Sequence, residues 1–419
     1  MIRWLIDFAL RPALAIAAGF SVLRDLVRPR PRPSGAASSA EQSLLWTALK
    51  RWWPVAAGLL AVAGIGGTLV LVSGVVPIKA SSGHWPVTVW FLDFAKSRSV
   101  ATHTLGMSAP PLDDPALLMK GAGHYEFGCR PCHGSPTFDQ PRIAAAMTPR
   151  PPDLRSTVRE YDPVDLFYIV KHGIKFTGMP AWPAQERDDE VWAVVAFLQR
   201  LPEMDERGYE ELVAAGPTPD TGSPMRNLGP QQVPRAVGAS CGRCHGVDGL
   251  GRGQGAFPRL AGQRQEYLFA SLEAYARSHR RSGIMEPIAA GLGREEMREA
   301  AQYYASLPEA PPLQAAEVGQ EIARGEAIAW HGVPDRLIPA CSKCHGPGGG
   351  RRNPHYPRLS GQYPGYITLQ LTLFKAQQRG GTPYHHLMHR VAPQLTDEQM
   401  RAVALYYASL PGTRDRQAQ

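Results

Sequence analysis

The six cysteines of this 419-residue chain constrain its fold more than any other feature of the sequence. They stand in three copies of one pattern, Cys-x-x-Cys-His, which are Cys129-Arg-Pro-Cys132-His133, Cys241-Gly-Arg-Cys244-His245 and Cys341-Ser-Lys-Cys344-His345. Two thiols three positions apart lie on one helical turn, where they can form thioether bonds to the two vinyl groups of one porphyrin, and the adjoining imidazole then faces the iron. The pattern predicts three covalently bound c-type haems, each with an axial histidine.

Other uses of paired cysteines explain this pattern less well. Disulfides are usual in exported proteins, but they do not require a histidine after every pair. Structural zinc needs four ligands, whereas Cys244 and Cys341, from the two nearest pairs, are 97 positions apart. A redox Cys-x-x-Cys motif is expected in a βαβ context, which the sequence lacks. Haem attachment therefore remains the preferred interpretation.

The second and third motifs belong to an internal duplication. The segment Pro-Arg-Leu-Ala-Gly-Gln at 258–263 recurs 99 positions later, at 357–362, with serine in place of alanine. Further along, Tyr-Tyr-Ala-Ser-Leu-Pro at 303–308 recurs 103 positions later, at 406–411. Four residues were therefore gained between these two matches. The first motif has no such copy, so it marks a separate type of unit.

The duplication also indicates a second axial ligand for each haem. Met285 and Met388 match at the 103-residue offset, and Met179 in Thr-Gly-Met-Pro-Ala-Trp is the candidate in the first unit. Met147 competes with Met179, but it lies only 14 residues after His133 and leaves little chain to enclose a porphyrin. Three histidines compete with Met388, although the second unit has none at the matching positions: His385, His386 and His389.

Helical signals surround these motifs. Asp114-Pro115 is a cap followed by proline at the first helical position. Thr396 and Gln399 have the spacing of a capping box before the last apolar stripe. Asp188 can cap a corresponding helix in the first unit, whose apolar face is Val191, Val194, Val195 and Leu198. No strand pattern is convincing, so the sequence predicts an all-α fold.

A membrane anchor is predicted before the motifs. The 25 residues from Pro54 to Ile78 carry no charge, and about 20 such residues cross a bilayer core. Trp52 and Trp53 stand at the near edge, where aromatic rings anchor at the interface. Because positive charge precedes the helix, the N-terminus is expected in the cytoplasm and everything after Lys79 is expected to be exported. We predict a single uncleaved span over residues 53–78.

The basic N-terminal segment, residues 1–52, accounts for most of the net charge of +8. Residues 1–51 hold eight Lys or Arg against three Asp or Glu, which is +5 and leaves +3 for the other 368 residues. No nucleic-acid surface is needed to explain this distribution. Pro12 to Leu23 is interpreted as an interfacial helix, with a second span as the alternative, and residues 29–40 form a Pro/Ser/Ala-rich connector.

On these motifs, each unit resembles a class I cytochrome c domain. The last two resemble tandem two-haem bacterial cytochromes, and the first resembles a subgroup with Gly-Met-Pro-Ala-Trp. The resemblance implies three such domains in tandem behind the one transmembrane helix. The expected boundaries are a connector at 79–108, domain 1 at 109–204, a linker at 205–222 that leaves domain 1 independently placed, domain 2 at 223–310 and domain 3 at 311–413.

The resemblance further implies electron transfer rather than substrate turnover. Membrane-tied three-haem chains are similar to cytochrome subunits of bacterial periplasmic-side dehydrogenases, so the chain is expected in a bacterial inner membrane with its haem domains in the periplasm. The expected partners are the lipid bilayer and a membrane-bound or periplasmic dehydrogenase or terminal oxidase. A haem peroxidase with an open site in domain 3 is the alternative from another class. Arg259 and Arg358, at matching positions, are candidate contacts for haem propionates because guanidinium suits carboxylates.

Overall fold

The computed structural model describes residues 37–76, 78–213, 233–252, 255–313, 319–347 and 352–412. Helices and turns make up this part of the chain, which contains isolated β-bridges but no strand. The predicted all-α fold is confirmed. The chain divides into two compact units, one ending at Lys79 and the other beginning at Ala80. The predicted interfacial helix at Pro12 to Leu23 lies outside the described residues.

The α-helices fall into four groups along the chain. Before the first motif lie Ala37–Val72 and Pro86–His103. Domain 1 contains Pro115–Gly128, Arg130–His133, Arg142–Ala145, Leu154–Thr157, Pro163–His172, Asp188–Arg200 and Glu206–Val213. Domain 2 contains Gly242–His245, Gln265–Ala276, Met285–Ala290 and Arg294–Ser306. Domain 3 contains Gly319–His331, Ser342–His345, Pro364–Lys375, His385–Val391 and Asp397–Ser409.

The first unit is dominated by the helix Ala37–Val72. Its part Lys50–Val72 is 23 residues long with a mean hydropathy of 2.3, which is long and apolar enough to cross a membrane. The helix begins before the predicted boundary, inside the Pro/Ser/Ala-rich connector, and it ends before the predicted Ile78. The early end has a local cause, since Gly74 adopts a φ of +69° and its amide bonds to the carbonyl of Leu71.

The core of domain 1 forms where its opening helix, Pro115–Gly128, crosses its closing helix, Asp188–Arg200. The two backbones touch at Gly121, where an added Cβ would lie 1.9 Å from the carbonyl oxygen of Ala193. Only glycine allows this approach. As predicted, Asp114 caps the opening helix, accepting a 2.9 Å hydrogen bond from the amide of Ala116.

Domain 3 repeats this crossing with its opening helix Gly319–His331 and closing helix Asp397–Ser409. Here an added Cβ on Gly325 would lie 2.0 Å from the carbonyl oxygen of Ala402. The predicted capping box at Thr396 and Gln399 is present in both directions. Domain 2 has a separate hydrophobic cluster around Val237, Tyr267, Tyr304 and Leu307.

The structure adds to or differs from the predictions at three places. Residues 86–103, inside the predicted connector, form a helix. Residues 206–213, inside the predicted linker, form another, and its Tyr209 is fully buried in the core of domain 1. Asp188 is the first residue of its helix and not the cap; it forms an ion pair with Lys171 instead. The cap position belongs to Arg187.

Candidate haem-binding sites

Each Cys-x-x-Cys-His motif lies on a single helical turn that ends at its histidine. The amide of His133 bonds to the carbonyl of Cys129 at 2.9 Å, and the amide of His345 bonds to the carbonyl of Cys341 at the same distance. This winding places the two cysteines of a pair and the histidine on the same turn. None of the six cysteines forms a disulfide, and burial raises the pKa of Cys129 to about 12.

Each of the three motif histidines makes the same kind of hydrogen bond. Nδ1 of His133, His245 and His345 lies 2.9, 3.0 and 2.8 Å from the carbonyl oxygens of Pro152, Pro258 and Pro357, respectively. A carbonyl oxygen can only accept, so Nδ1 donates and Nε2 keeps its lone pair for iron. Burial lowers the pKa of all three imidazoles, which favours the neutral form that binds metal.

A buried tyrosine fixes the end of each motif. Tyr304 and Tyr407, on the closing helices of domains 2 and 3, donate to the carbonyl oxygens of Gly246 and Gly346. Domain 1 has Leu198 at the corresponding position of its closing helix. There, Tyr125 of the opening helix donates to the carbonyl of Gly134 at 2.7 Å. The three domains therefore hold the turn after the histidine in the same way from different positions.

Met179 lies in a loop that packs against the core of domain 1. Its amide donates a 3.1 Å hydrogen bond to Oγ1 of Thr177, and its carbonyl accepts one from the amide of Ile174. The competing Met147 reaches the same loop, since an added Cβ on Gly178 would lie 1.9 Å from its Cε. The structure thus brings both methionines together, and Met179 stays a prediction.

Met388 packs against the core of domain 3 from the short helix His385–Val391. Two competing histidines each have a ring nitrogen engaged with a carbonyl oxygen: Nδ1 of His385 with Thr382 at 2.7 Å, and Nε2 of His389 with Arg379 at 2.6 Å. Met285 begins the equivalent helix, Met285–Ala290, in domain 2. These contacts do not distinguish histidine from methionine, because an imidazole that donates one ring N–H can bind iron through its other nitrogen. Met285 and Met388 therefore stay predictions.

The two candidate propionate contacts, Arg259 and Arg358, lie where domains 2 and 3 meet. Gln362 accepts from the amide of Arg259 and donates to its carbonyl, at 3.0 and 2.9 Å. Gln263 does the same for Arg358, at 2.8 and 2.9 Å. The Nη1 atoms of the two arginines donate to the carbonyls of Gly361 and Gly262, respectively. The repeated sequence motif therefore builds a reciprocal domain interface.

A second reciprocal pair, Arg280 and Arg379, lies deeper in the same interface. Arg280 donates to the hydroxyl of Tyr366 at 3.2 Å, and Arg379 donates to that of Tyr267 at 2.8 Å. Both guanidinium groups are buried, and the described residues give neither of them an ion pair with a carboxylate. Although burial raises it, the two positive charges lower the pKa of Tyr267 to about 8.

Two buried cations without a counter-ion are costly, so a bound anion is expected beside them. Nε of Arg379 is also buried and makes no hydrogen bond. The carboxylates of haem propionates fit this need, and the residues present therefore suit the group. Sequence reasoning missed this pair, although the 99-residue offset that relates Tyr267 to Tyr366 also relates Arg280 to Arg379.

Comparisons with known proteins match three segments of the chain to protein families. Residues 116–198 match the family described as cytochrome c oxidase, cbb3-type, subunit III. Residues 231–308 and 322–411 match the family described as cytochrome c. The three matched segments correspond to the three motif-bearing parts of the chain.

Individual relatives are diverse cytochromes. A thiosulfate dehydrogenase electron acceptor of Thiomonas intermedia is 37% identical over 41% of this chain and 79% of the relative. Cytochrome c4 of Thiocapsa roseopersicina is 33% identical over 43% of this chain and 92% of the relative. The crystal structure of reduced recombinant cytochrome c4 from Pseudomonas stutzeri is 29% identical, covers 43% of this chain and 98% of that chain, and has a TM-score of 0.39. This chain belongs to the cytochrome c family, which binds haem covalently.

Proposed function

We propose that the chain is a membrane-anchored cytochrome with three haems, which transfers electrons between a dehydrogenase and the respiratory chain on the periplasmic side. The observation that carries the proposal is the hydrogen bond from Nδ1 of each motif histidine to a proline carbonyl, which would leave Nε2 of all three imidazoles to bind iron. Cys129, Cys132, Cys241, Cys244, Cys341 and Cys344 would hold the haems covalently. When bound, haem c supplies reversible one-electron chemistry.

Methionine would complete each axial pair, through Met179, Met285 and Met388. Ligands on both sides leave no position for a substrate, which suits electron transfer better than catalysis. The partner is inferred from chemistry and from similarity. A relative named for accepting electrons from thiosulfate dehydrogenase makes that class of enzyme the first donor to test.

A second candidate function is delivery of electrons to a terminal oxidase. The match of residues 116–198 to the subunit III family of cbb3-type oxidases favours this alternative. Reduction of the full-length protein by a thiosulfate dehydrogenase, compared with its reoxidation by an oxidase-containing membrane fraction, distinguishes the two partners. If the protein exchanges electrons rapidly with neither the dehydrogenase nor the oxidase, both proposed functions are contradicted.

A haem peroxidase is the remaining alternative, because three histidines lie close to Met388. The test uses the full-length protein in detergent. We expect a ferric near-infrared band from thioether ligation and slow binding of carbon monoxide to the reduced form. Rapid carbon monoxide binding to one haem in three, together with reaction with peroxide, would contradict closed coordination and support the peroxidase.

The helix containing Lys50–Val72 is proposed to anchor the chain in the inner membrane, with the basic N-terminal segment in the cytoplasm. Its exposed apolar side chains support this, since a bilayer core would cover them. Protease added to intact spheroplasts should cleave the haem domains and spare the N-terminal segment. Release of the uncleaved protein by carbonate extraction would exclude the anchor.

A further inference from the structure

Glu190 is a buried carboxylate in domain 1 that binds domain 2. Only 3% of its surface is exposed. Oε1 accepts a 2.6 Å hydrogen bond from the hydroxyl of Ser282, and Oε2 accepts a 2.7 Å bond from the amide of Gly283. Trp182 of domain 1 also donates its indole N–H to Oε2, at 3.1 Å. One carboxylate thus ties together two domains.

The negative charge of Glu190 is balanced within the same contact. Nη2 of Arg187 lies 3.0 Å from Oε1, and Nη1 of Arg187 donates to the carbonyl of Arg281 at 2.8 Å. Arg281 in turn reaches back to domain 1, where it forms an ion pair with Glu186 and donates to the carbonyl of Pro183. Hydrogen bonds that involve charged groups are roughly twice as strong as neutral ones. The contact is therefore a specific and ordered interface.

The segment that Glu190 holds is the one that carries Met285. The hydroxyl of Ser282 accepts from the amide of Met285 at 3.1 Å, so the bond from Ser282 to Glu190 continues directly to this residue. Ile284 and Ile288 on either side belong to the hydrophobic cluster of domain 1. Domain 1 therefore determines the position of the backbone on both sides of Met285.

The sequence of domain 2 is adapted to this contact at Gly283. An added Cβ there would lie 2.2 Å from Nε1 of Trp182, so any side chain would displace the indole that binds Glu190. Domain 3 supplies an internal comparison, because the 103-residue offset aligns His385 with Ser282 and His386 with Gly283. His386 is exposed. Domain 3 therefore tolerates a large, exposed side chain at the position where domain 2 has Gly283.

The same face of domain 1 also approaches the cysteine side of domain 2. An added Cβ on Gly123, in the opening helix, would lie 2.9 Å from the ring of Phe257 and 3.6 Å from Sγ of Cys244. Domain 1 thus contacts domain 2 near its haem-binding cysteine as well as at its candidate methionine. No comparable cover exists for domain 3 among the described contacts of domain 1.

We propose that Glu190 is a positioning residue for Met285, so that domain 1 completes the methionine side of the haem site in domain 2. This inference rests on the proposed ligation by Met285. It makes the junction between domains 1 and 2 a fixed contact for electron transfer, in place of the independently placed domain 1 that the sequence predicted.

The test compares Glu190→Ala with wild type in the full-length, haem-loaded protein. We expect amide hydrogen exchange of residues 282–288 to accelerate at least about tenfold, as loss of charged hydrogen bonds implies, while residues 385–391 are unchanged. In the reduced protein, one of the three shifted methionine methyl proton resonances should broaden or move, and one of the three midpoint potentials should fall. Glu190→Gln should give an intermediate effect.

Asp188→Asn is the matched control, because Asp188 is on the same helix and its ion pair with Lys171 lies within domain 1. It should leave both readouts unchanged. If Glu190→Ala does not fold, Gly283→Ala disturbs the contact from domain 2 and should reproduce its effects. Unchanged exchange and resonances in a folded Glu190 variant would overturn this inference alone. Absence of a Met285 resonance from wild type would overturn the proposed ligand as well.

Discussion

At the scale of single residues, the buried ring of His124 lowers the stability of the folded protein in acid. Its ring lies in the opening helix of domain 1, 5% exposed and 5.9 Å from the ring of Trp182. Burial lowers its pKa to about 3, against about 6.5 in an unfolded chain. Below pH 6.5 the unfolded state binds a proton that the folded state does not, so this residue makes stability fall from pH 6.5 towards pH 3.

We therefore predict that His124→Gln loses less stability in acid than wild type does. Between pH 7 and pH 4 the difference should reach about 3 kcal/mol, since each unit of pKa shift corresponds to about 1.4 kcal/mol. Chemical unfolding of domain 1, followed by circular dichroism at both pH values, measures it. His84→Gln, at an exposed position outside the domain cores, is the control. Equal losses for His124→Gln and wild type would show that His124 is not buried in its neutral form.

At the scale of elements, the crossing of opening and closing helices depends on one glycine in each of domains 1 and 3. Gly325→Ala should destabilise domain 3 by roughly 3 kcal/mol, because the added Cβ would meet the carbonyl oxygen of Ala402 and the Cβ of Tyr406. Gly365→Ala, which has open space around it, should be neutral or stabilise by up to about 1 kcal/mol. Thermal unfolding compares them, and equal midpoints would argue against close helix packing.

The success of sequence-based prediction also differs from element to element. Asp114 and Thr396 were identified as caps because capping is local and needs only a few neighbouring residues. The helix Pro86–His103 was missed because its apolar residues lie on all sides of the helix and form no periodic face. Trp90 and Phe91 among them remain exposed. The helix Glu206–Val213 was missed although its apolar residues follow the i, i+3, i+4 pattern of one helix face and pack in the core of domain 1: Tyr209, Leu212 and Val213.

The candidate sites show the same division. Cysteines and motif histidines follow from spacing alone, and the repeat offset adds Met285 and Met388. The carbonyl partners of the motif histidines are 12 to 19 residues away in sequence, and the domain 2 partners of Glu190 are more than 90 residues away. No short motif encodes contacts of that range. The internal repeat is the one sequence signal that carries such information, and it could have identified Arg280 and Arg379.

At the scale of the whole molecule, the interface between domains 2 and 3 buries two positive charges, and each of these domains has a candidate haem site. Arg280 and Arg379 each donate to a tyrosine of the other domain, so each guanidinium is shared by both domains. Positive charge held near a haem favours the reduced form, which carries one positive charge fewer. The pair should therefore raise the potentials of both haems together and couple them electrostatically.

Arg379→Gln should then lower two of the three midpoint potentials by tens of millivolts and leave the third unchanged. A change of about 59 mV corresponds to a tenfold shift in a one-electron equilibrium, or about 1.4 kcal/mol. Spectroelectrochemical titration of the full-length protein measures all three potentials, and Arg280→Gln should give the same pattern. Arg277→Gln is the control, because Arg277 is 65% exposed and pairs with Glu273 within domain 2. If only one potential moves, the guanidinium pair serves a single haem and the two sites are not coupled through it.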